Sequence, residues 1–395
     1  MLRYLTAGES HGPSLSVIVE GLPSGLDVRE KDLASELARR RLGYGRGPRM
    51  RFEQDELRVT GGVRHGRTLG SPVAIEILNS EWPKWQEEMS AAPGTPSNKL
   101  TAPRPGHADL AGMQKYAFDD ARDVLERASA RETAARVAAG YLAKLLLSSI
   151  GVSVVSHVVR IGTVESTGAR PGPDDLVRVD ESEVRCFDPT FEAAMITEIK
   201  AAAKEGDSLG GIVEVIAYGL PVGLGSYVHW DRKLDGLVAG ALMSIHAVKA
   251  VEIGDGMDQA GQRGSVAHDA IAVDASHELG GGYVRRSDHA GGLEGGMTSG
   301  APLIAKVAMK PLATLNRPVL ETVDVATGES TVSFKERTDV TAVPAMGVIA
   351  EAMMALVLAN EALRKFGGDS VEEFVRNHDG YVAHLGSSAS AARAE

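Results

Sequence analysis

Gly8-Glu-Ser-His-Gly-Pro-Ser-Leu-Ser-Val-Ile-Val-Glu-Gly-Leu-Pro-Ser-Gly-Leu26 recurs without a gap as Gly206-Asp-Ser-Leu-Gly-Gly-Ile-Val-Glu-Val-Ile-Ala-Tyr-Gly-Leu-Pro-Val-Gly-Leu224. Gly8, Ser10, Gly12, Val17, Gly21-Leu22-Pro23 and Gly25-Leu26 all meet identical residues. A second pair follows in the same order: Gly61-Gly-Val-Arg-His-Gly-Arg-Thr-Leu-Gly-Ser-Pro72 matches Gly291-Gly-Leu-Glu-Gly-Gly-Met-Thr-Ser-Gly-Ala-Pro302. Each copy then enters a strand-like run, Val73 to Leu78 and Leu303 to Met309. The repeated unit therefore reads as glycine turn, strand, Gly-Leu-Pro turn, helix, glycine loop, strand.

The helices of the unit carry apolar residues at helical spacing. Glu30 to Leu42 has Leu33, Ala34, Leu37, Ala38 and Leu42; Arg232 to His246 has Leu234, Leu237, Val238, Ala241, Leu242 and Ile245. Two longer helices are expected outside the repeat, from about Asp120 to Leu147 and from about Ala345 to Lys365. Alternating strands and helices give a layered α/β (α+β) fold. The duplication favours one domain over residues 1–385, with similar halves at about 1–150 and 200–370, and a site where they meet. The Ser/Ala-rich stretch from Gly386 reads as a loose tail.

Composition narrows the function. Lys plus Arg is 42 against 53 for Asp plus Glu, a formal net charge of -11. That balance, with 5% aromatic residues, argues against nucleic-acid binding. Any anion site must be local. The single cysteine, Cys186, excludes an internal disulfide and fits a reducing compartment. No apolar run at the N-terminus resembles a signal peptide, and Ala352 to Ala359 is too short to span a bilayer, so a cytoplasmic protein without a membrane partner is expected. There is no Walker A sequence, no Cys-x-x-Cys and no His-Glu-x-x-His, so no metal site is expected. Gly8-Glu-Ser-His-Gly12 matches Gly-x-Ser-x-Gly, but it precedes a strand, whereas a hydrolase elbow follows one; Ser10 is not read as a nucleophile.

The residues suited to chemistry are few. Arg39, Arg40, Arg41, Arg46, Arg49 and Arg51 lie in one glycine-broken segment with no acid between them. Guanidinium groups bind phosphate or carboxylate bidentately, and glycines let backbone approach a ligand; the alternative is a solvated basic helix end. Arg127 and Arg131 fall four apart with Ser129 between them, either salt-bridged on a helix or facing a ligand. His11 and His107 sit in glycine-flanked turns, where an imidazole can exchange protons near neutral pH. Leu209 replaces His11 in the second copy, so the scaffold itself needs no histidine there. Arg337 and Asp339 precede the last long helix, as an ion pair, an N-cap or a clamp with a base.

Taken together, Gly8-Glu-Ser-His-Gly12, Arg39-Arg-Arg-Leu-Gly-Tyr-Gly-Arg-Gly47, Arg104-Pro-Gly-His-Ala-Asp109, Arg127-Ala-Ser-Ala-Arg-Glu-Thr133, Gly291-Gly-Leu-Glu-Gly-Gly-Met-Thr-Ser-Gly300 and Arg337-Thr-Asp339 resemble the chorismate synthase family in kind and order, from Met1 to about Ser370. The resemblance implies a β-α-β sandwich, a homotetramer in the cytoplasm, and a carbon–oxygen lyase of the shikimate pathway. That enzyme eliminates phosphate from 5-enolpyruvylshikimate 3-phosphate and requires reduced FMN. It implies catalytic roles for His11, His107 and Asp339. It places FMN contacts at Arg127, Ala128 and Ser129, at His246 and Ala247, at Gly295, at Lys310, Pro311, Leu312, Ala313 and Thr314, and at Arg337. Arg40, Arg46, Arg49 and Arg131 would meet the phosphate of substrate or of NADPH. The length resembles the form served by an external flavin reductase. Ser299, Ala313 and His246 depart from the residues usual in the family.

Overall fold

The computed structural model describes residues 1–46, 56–317, 319–334 and 338–391, with side chains described to residue 385. Two antiparallel sheets enclose a helical layer. The first sheet is built from β1 (Arg3–Ala7), β2 (Ser14–Glu20), β3 (Leu57–Gly61) and β4 (Val73–Leu78), in the order β1-β2-β4-β3. The second holds β5 (Ser153–Ile161), the short β6 (Val164–Glu165), β7 (Gly211–Tyr218), β8 (Val248–Ile253) and β9 (Leu303–Met309), in the order β8-β9-β7-β5-β6.

The repeat seen in the sequence is a repeat of hydrogen bonds. Val19 pairs with Val73 and Ser14 with Leu78 across β2 and β4; the matching residues Ala217 with Leu303 and Ile212 with Ala308 pair across β7 and β9. Thr68 Oγ1 donates to Pro23 O at 2.7 Å and accepts from Leu26 N at 2.9 Å. Thr298 Oγ1 does the same with Pro221 O at 2.6 Å and Leu224 N at 2.8 Å. Gly62 and Gly292 have φ of 79° and 76°. A Cβ on either would meet a proline carbonyl oxygen, Pro72 O at 2.4 Å or Pro302 O at 2.2 Å, so only glycine fits.

Between the sheets run α4 (Thr133–Ser148) and α7 (Val343–Phe366), packed on each other, α4 facing the first sheet and α7 the second. Both are apolar nearly all round, as a helix buried on every side must be. α7 is long and apolar enough to cross a membrane, but it is the core helix here. The repeat helices α1 (Glu30–Arg39) and α6 (Leu234–Met243) are each shorter than the spacing suggests. The expected helix from Asp120 to Leu147 is broken: α3 (Arg122–Ala128) stops at Ser129, whose ψ is 143°, and a short turn Ala130–Glu132 precedes α4. Ser129 Oγ accepts from Arg131 N, an N-cap that favours the restart. Arg127 and Arg131 therefore do not share a helix face. The closing helix α8 (Val371–Ala391) passes Gly386, where a loose tail was expected.

Candidate active site

A cavity of about 340 Å³ opens where the Gly8 turn, the Arg40–Arg46 segment, the break at Ser129, and the starts of the Lys310 loop and α7 converge. Its size suits a small ligand site. Among the expected residues, His11, His107, Asp339, Ser129, Arg131, His246, Leu312, Ala313, Thr314, Arg40 and Arg46 line it. Arg49 and Arg337 lie outside the described residues.

Two cavity histidines, His11 and His107, are each tied to a buried carboxylate. His11 Nδ1 bonds Glu126 Oε1 at 2.8 Å, and its backbone N–H donates to Glu126 Oε2 at 2.8 Å. A carboxylate only accepts, so the proton sits on Nδ1. Trp85 packs against the His11 ring at 4.0 Å between centroids, and the guanidinium of Arg122, bonded to Glu126 at 3.2 Å, lies over the Trp85 ring at 5.1 Å. Burial pushes the Glu126 carboxyl up, but the bonds and charge of His11, with Arg122, outweigh it and hold it below the ordinary value.

His107 repeats the arrangement with a shorter loop. Its Nδ1 bonds Asp109 Oδ1 at 2.5 Å, and Asp109 also accepts from Arg104 N at 3.0 Å and Arg104 Nε at 2.8 Å. Asp109 is fully buried. Burial again opposes ionisation, yet His107 and Arg104 hold its carboxyl far below the usual carboxylate range. Arg104 in turn reaches Thr314 Oγ1 at 3.0 Å, which ties the His107 turn to the Lys310–Thr314 loop.

The cationic wall comes from Arg40, Arg46 and Arg131, all with little exposure. Arg46 pairs with Asp339 at 3.1 Å, so these two expected residues form an ion pair facing the cavity. Arg131 Nη2 donates to Leu78 O at 3.3 Å. Among the described residues, Arg46 Nε and His246 Nδ1 are buried without a hydrogen-bond partner. Buried polar atoms of that kind ask for a ligand or water. Burial, first, and the nearby cations hold His246 below its ordinary pKa, against the pull of Glu132.

Several expected contacts are not cavity-lining. Arg127 turns to the edge of β1, donating to Gly8 O at 3.0 Å and Thr6 O at 2.8 Å. Ala128 ends α3 beside the cavity-lining Ser129. Lys310 Nζ bonds Gly106 O, and with Pro311 it flanks the lining residues Leu312 to Thr314. Ala247 takes a left-handed φ of 64° next to His246. Gly295 turns the hairpin between Leu293–Glu294 and Met297–Thr298, near Tyr227. Ser299 Oγ donates to Gly292 O at 3.1 Å, a bond within the second glycine loop. Sequence reasoning missed Glu126, Trp85 and Glu81. Glu126 directly precedes the Arg127–Thr133 motif, but only the fold brings it to His11; no local signal marks Trp85.

The fold and cavity are those of an α/β sandwich in which arginines and two carboxylate-backed histidines share one pocket, a setting suited to an anion. A family model described as chorismate synthase matches residues 2–363. The chorismate synthases of Thermobifida fusca (strain YX) and Salinispora tropica are each 59% identical to this chain, covering 98% of it and 99% of their own length. A solved structure titled "Crystal Structure of Chorismate Synthase" superposes with a TM-score of 0.78 at 39% identity, over 98% of both chains. The chain belongs to the chorismate synthase family.

Proposed function

We propose that this cavity carries out the 1,4-trans elimination of phosphate from 5-enolpyruvylshikimate 3-phosphate to give chorismate, as a carbon–oxygen lyase dependent on reduced FMN. The observation that carries the reading is the pair of carboxylate-backed histidines, His11 with Glu126 and His107 with Asp109, on one cavity with Arg40, Arg46, Arg131 and Asp339.

Arg40, Arg46 and Arg131 bind the substrate phosphate and balance its charge as the carbon–oxygen bond breaks. His11, its Nδ1 fixed by Glu126, gives a proton from Nε2 to the departing phosphate. Ser129, His246 and the Leu312–Thr314 loop would hold the flavin, and the unpartnered Nδ1 of His246 suits a polar atom of its ring. Reduced FMN, when bound, supplies electron density for phosphate departure and recovers it as the ring hydrogen leaves, with no net redox change. His107 keeps a proton near that ring, and Asp339 receives one on its cavity side. Arg127, Ala128, Ala247, Gly295, Lys310, Pro311 and Arg337 are assigned to flavin binding, and Arg49 to the phosphate of substrate or of NADPH. The same reading makes the protein a cytoplasmic homotetramer supplied by an external flavin reductase, with NADPH as the ultimate reductant.

The test is an anaerobic assay with pre-reduced FMN and 5-enolpyruvylshikimate 3-phosphate. Chorismate and phosphate should appear in equal amounts, and His107→Ala should cut turnover by about 10²–10⁴-fold. Steady NADPH consumption without the phosphorylated substrate would instead indicate a flavin oxidoreductase.

A further inference from the structure

Arg39 of the basic segment does not line the cavity. Arg39 ends α1 and turns inward, where Nη1 and Nη2 grip Glu351 of α7 at 2.8 and 3.0 Å. Its Nε donates to Asp180 at 2.6 Å and its Nη1 to Glu36 at 2.9 Å. Lys144 of α4 reaches Glu351 at 2.6 Å and also bonds Glu36. Arg185 reaches Glu351 at 3.0 Å and pairs with Asp180, and Ser156 Oγ donates to Glu351 at 2.7 Å. Three cations, Arg39, Lys144 and Arg185, thus balance three anions, Glu36, Asp180 and Glu351, around a carboxylate that is fully buried.

Such a network is a poor way to gain stability, because desolvating six charges offsets most of their attraction. Its value lies in geometry. The next residue after Arg39 is Arg40, and Arg46 follows a few residues on; both line the cavity. The residues that lead into α7 hold the far end of the segment. Val340 N donates to Gly45 O at 2.8 Å, just before α7 begins, and Arg46 pairs with Asp339. Gly45, at φ 84°, lies so close that a Cβ would meet Ile199 at 2.9 Å and Thr341 at 3.2 Å. The segment is therefore held at two points, at Glu351 on α7 and at residues 339–341 just before α7, and Glu351 is the point away from the cavity.

We propose that Glu351 is a positioning residue for the phosphate clamp: it holds Arg39, and through Arg39 it sets where Arg40 and Arg46 stand on the cavity wall. This rests on the assignment of those arginines to the substrate phosphate. The experiment compares wild type, Glu351→Gln and the charge-balanced Glu351→Gln/Lys144→Met. Measurements are thermal midpoint, steady-state kinetics with pre-reduced FMN, and calorimetric titration with inorganic phosphate. Glu351→Gln should lower kcat/KM by about 10–100-fold, mostly through KM, since a misplaced clamp weakens binding of the whole phosphate. The double variant should regain the thermal midpoint, its buried charges again equal, without regaining KM or phosphate affinity. Recovery of stability and KM together would reduce Glu351 to a structural charge and overturn the proposal, as would wild-type KM in a folded Glu351→Gln. Phosphate titration reads the clamp without turnover, so an inactive wild type would count against the lyase reading and leave this proposal separately decided.

Discussion

The two halves of this chain share a scaffold down to the register of their strands, yet only the first half's glycine turn presents a histidine to the cavity. In the first, the glycine turn before β2 presents Ser10 and His11 to the cavity, and the end of α3 grips it through Ser10 N to Glu126 O at 2.9 Å. In the second, the matching turn presents Ser208 and Leu209. Ser208 Oγ donates to Leu312 O at 2.8 Å, and Leu209 N donates to Val340 O at 2.7 Å while its side chain packs on the core. One copy of the turn sets a histidine on the cavity; the other buttresses the Leu312 loop and the entry to α7, both of which line the same cavity. Duplication supplied the frame twice, and the two turns differ in what they present to the cavity.

If the frame is common to both halves, equivalent substitutions should cost the same in each. Gly62→Ala and Gly292→Ala should both be severe, on the order of 3 kcal/mol or more, because each puts a Cβ into a proline carbonyl at positive φ. Urea unfolding of the two variants measures this, and a mild effect in one half would break the equivalence. Thr68→Val and Thr298→Val each remove a hydroxyl that both donates and accepts in a buried site, so each should cost about 1–3 kcal/mol.

Chemistry should divide the halves where stability does not. Glu126→Gln keeps the shape behind His11 but removes the carboxylate charge that its Nδ1 meets. Turnover should fall by at least about tenfold with a changed pH profile, and the thermal midpoint should move little at neutral pH. Leu209→His in the second half should yield no activity of its own.

The carboxylates behind the histidines also set the acid limit. Asp109 and Glu126 lie below their ordinary values of 3.8 and 4.5 in the folded protein. The unfolded chain therefore takes up these protons first. The stability they contribute is full above about pH 5, and it declines as pH falls through and below the ordinary values. Thermal midpoints from pH 7 down to pH 3 should show that decline, shallower in Glu126→Gln. His246 gives the smallest effect and acts higher. Its imidazole is held below the ordinary 6.5, so the folded state resists the proton that the unfolded chain accepts. Stability should slip modestly as pH drops below 6.5, and His246→Gln should remove that slip.

Much of the frame was legible because it was written twice. The paired Gly-Leu-Pro turns and glycine loops predict two similar halves with the same order of strands, turns and helix, and apolar periodicity marks α1, α6 and α7. The break at Ser129 was not legible: the stretch from Asp120 to Leu147 is helical by composition, and only the tertiary setting turns Ser129 into a cap and brings Arg131 to the cavity. His11, His107 and Asp339 were readable from their rigid, glycine-flanked or pre-helical settings. Glu126, 115 residues from His11 in sequence, was not, since nothing local says which carboxylate a distant imidazole will meet. Arg39 shows the opposite limit. Charge clustering groups it with Arg40 and Arg46, but burial against Glu351 separates it from them.

The most direct test of the account places the second half's residue in the first half: His11→Leu, assayed anaerobically with pre-reduced FMN and 5-enolpyruvylshikimate 3-phosphate, with the thermal midpoint measured alongside. The frame accommodates leucine at that turn, so the variant should fold with a midpoint near wild type. Chorismate and phosphate release should fall together by roughly 10²-fold or more. A folded His11→Leu enzyme that turns over at the wild-type rate would show that the proton donor lies elsewhere and would contradict the division between the halves.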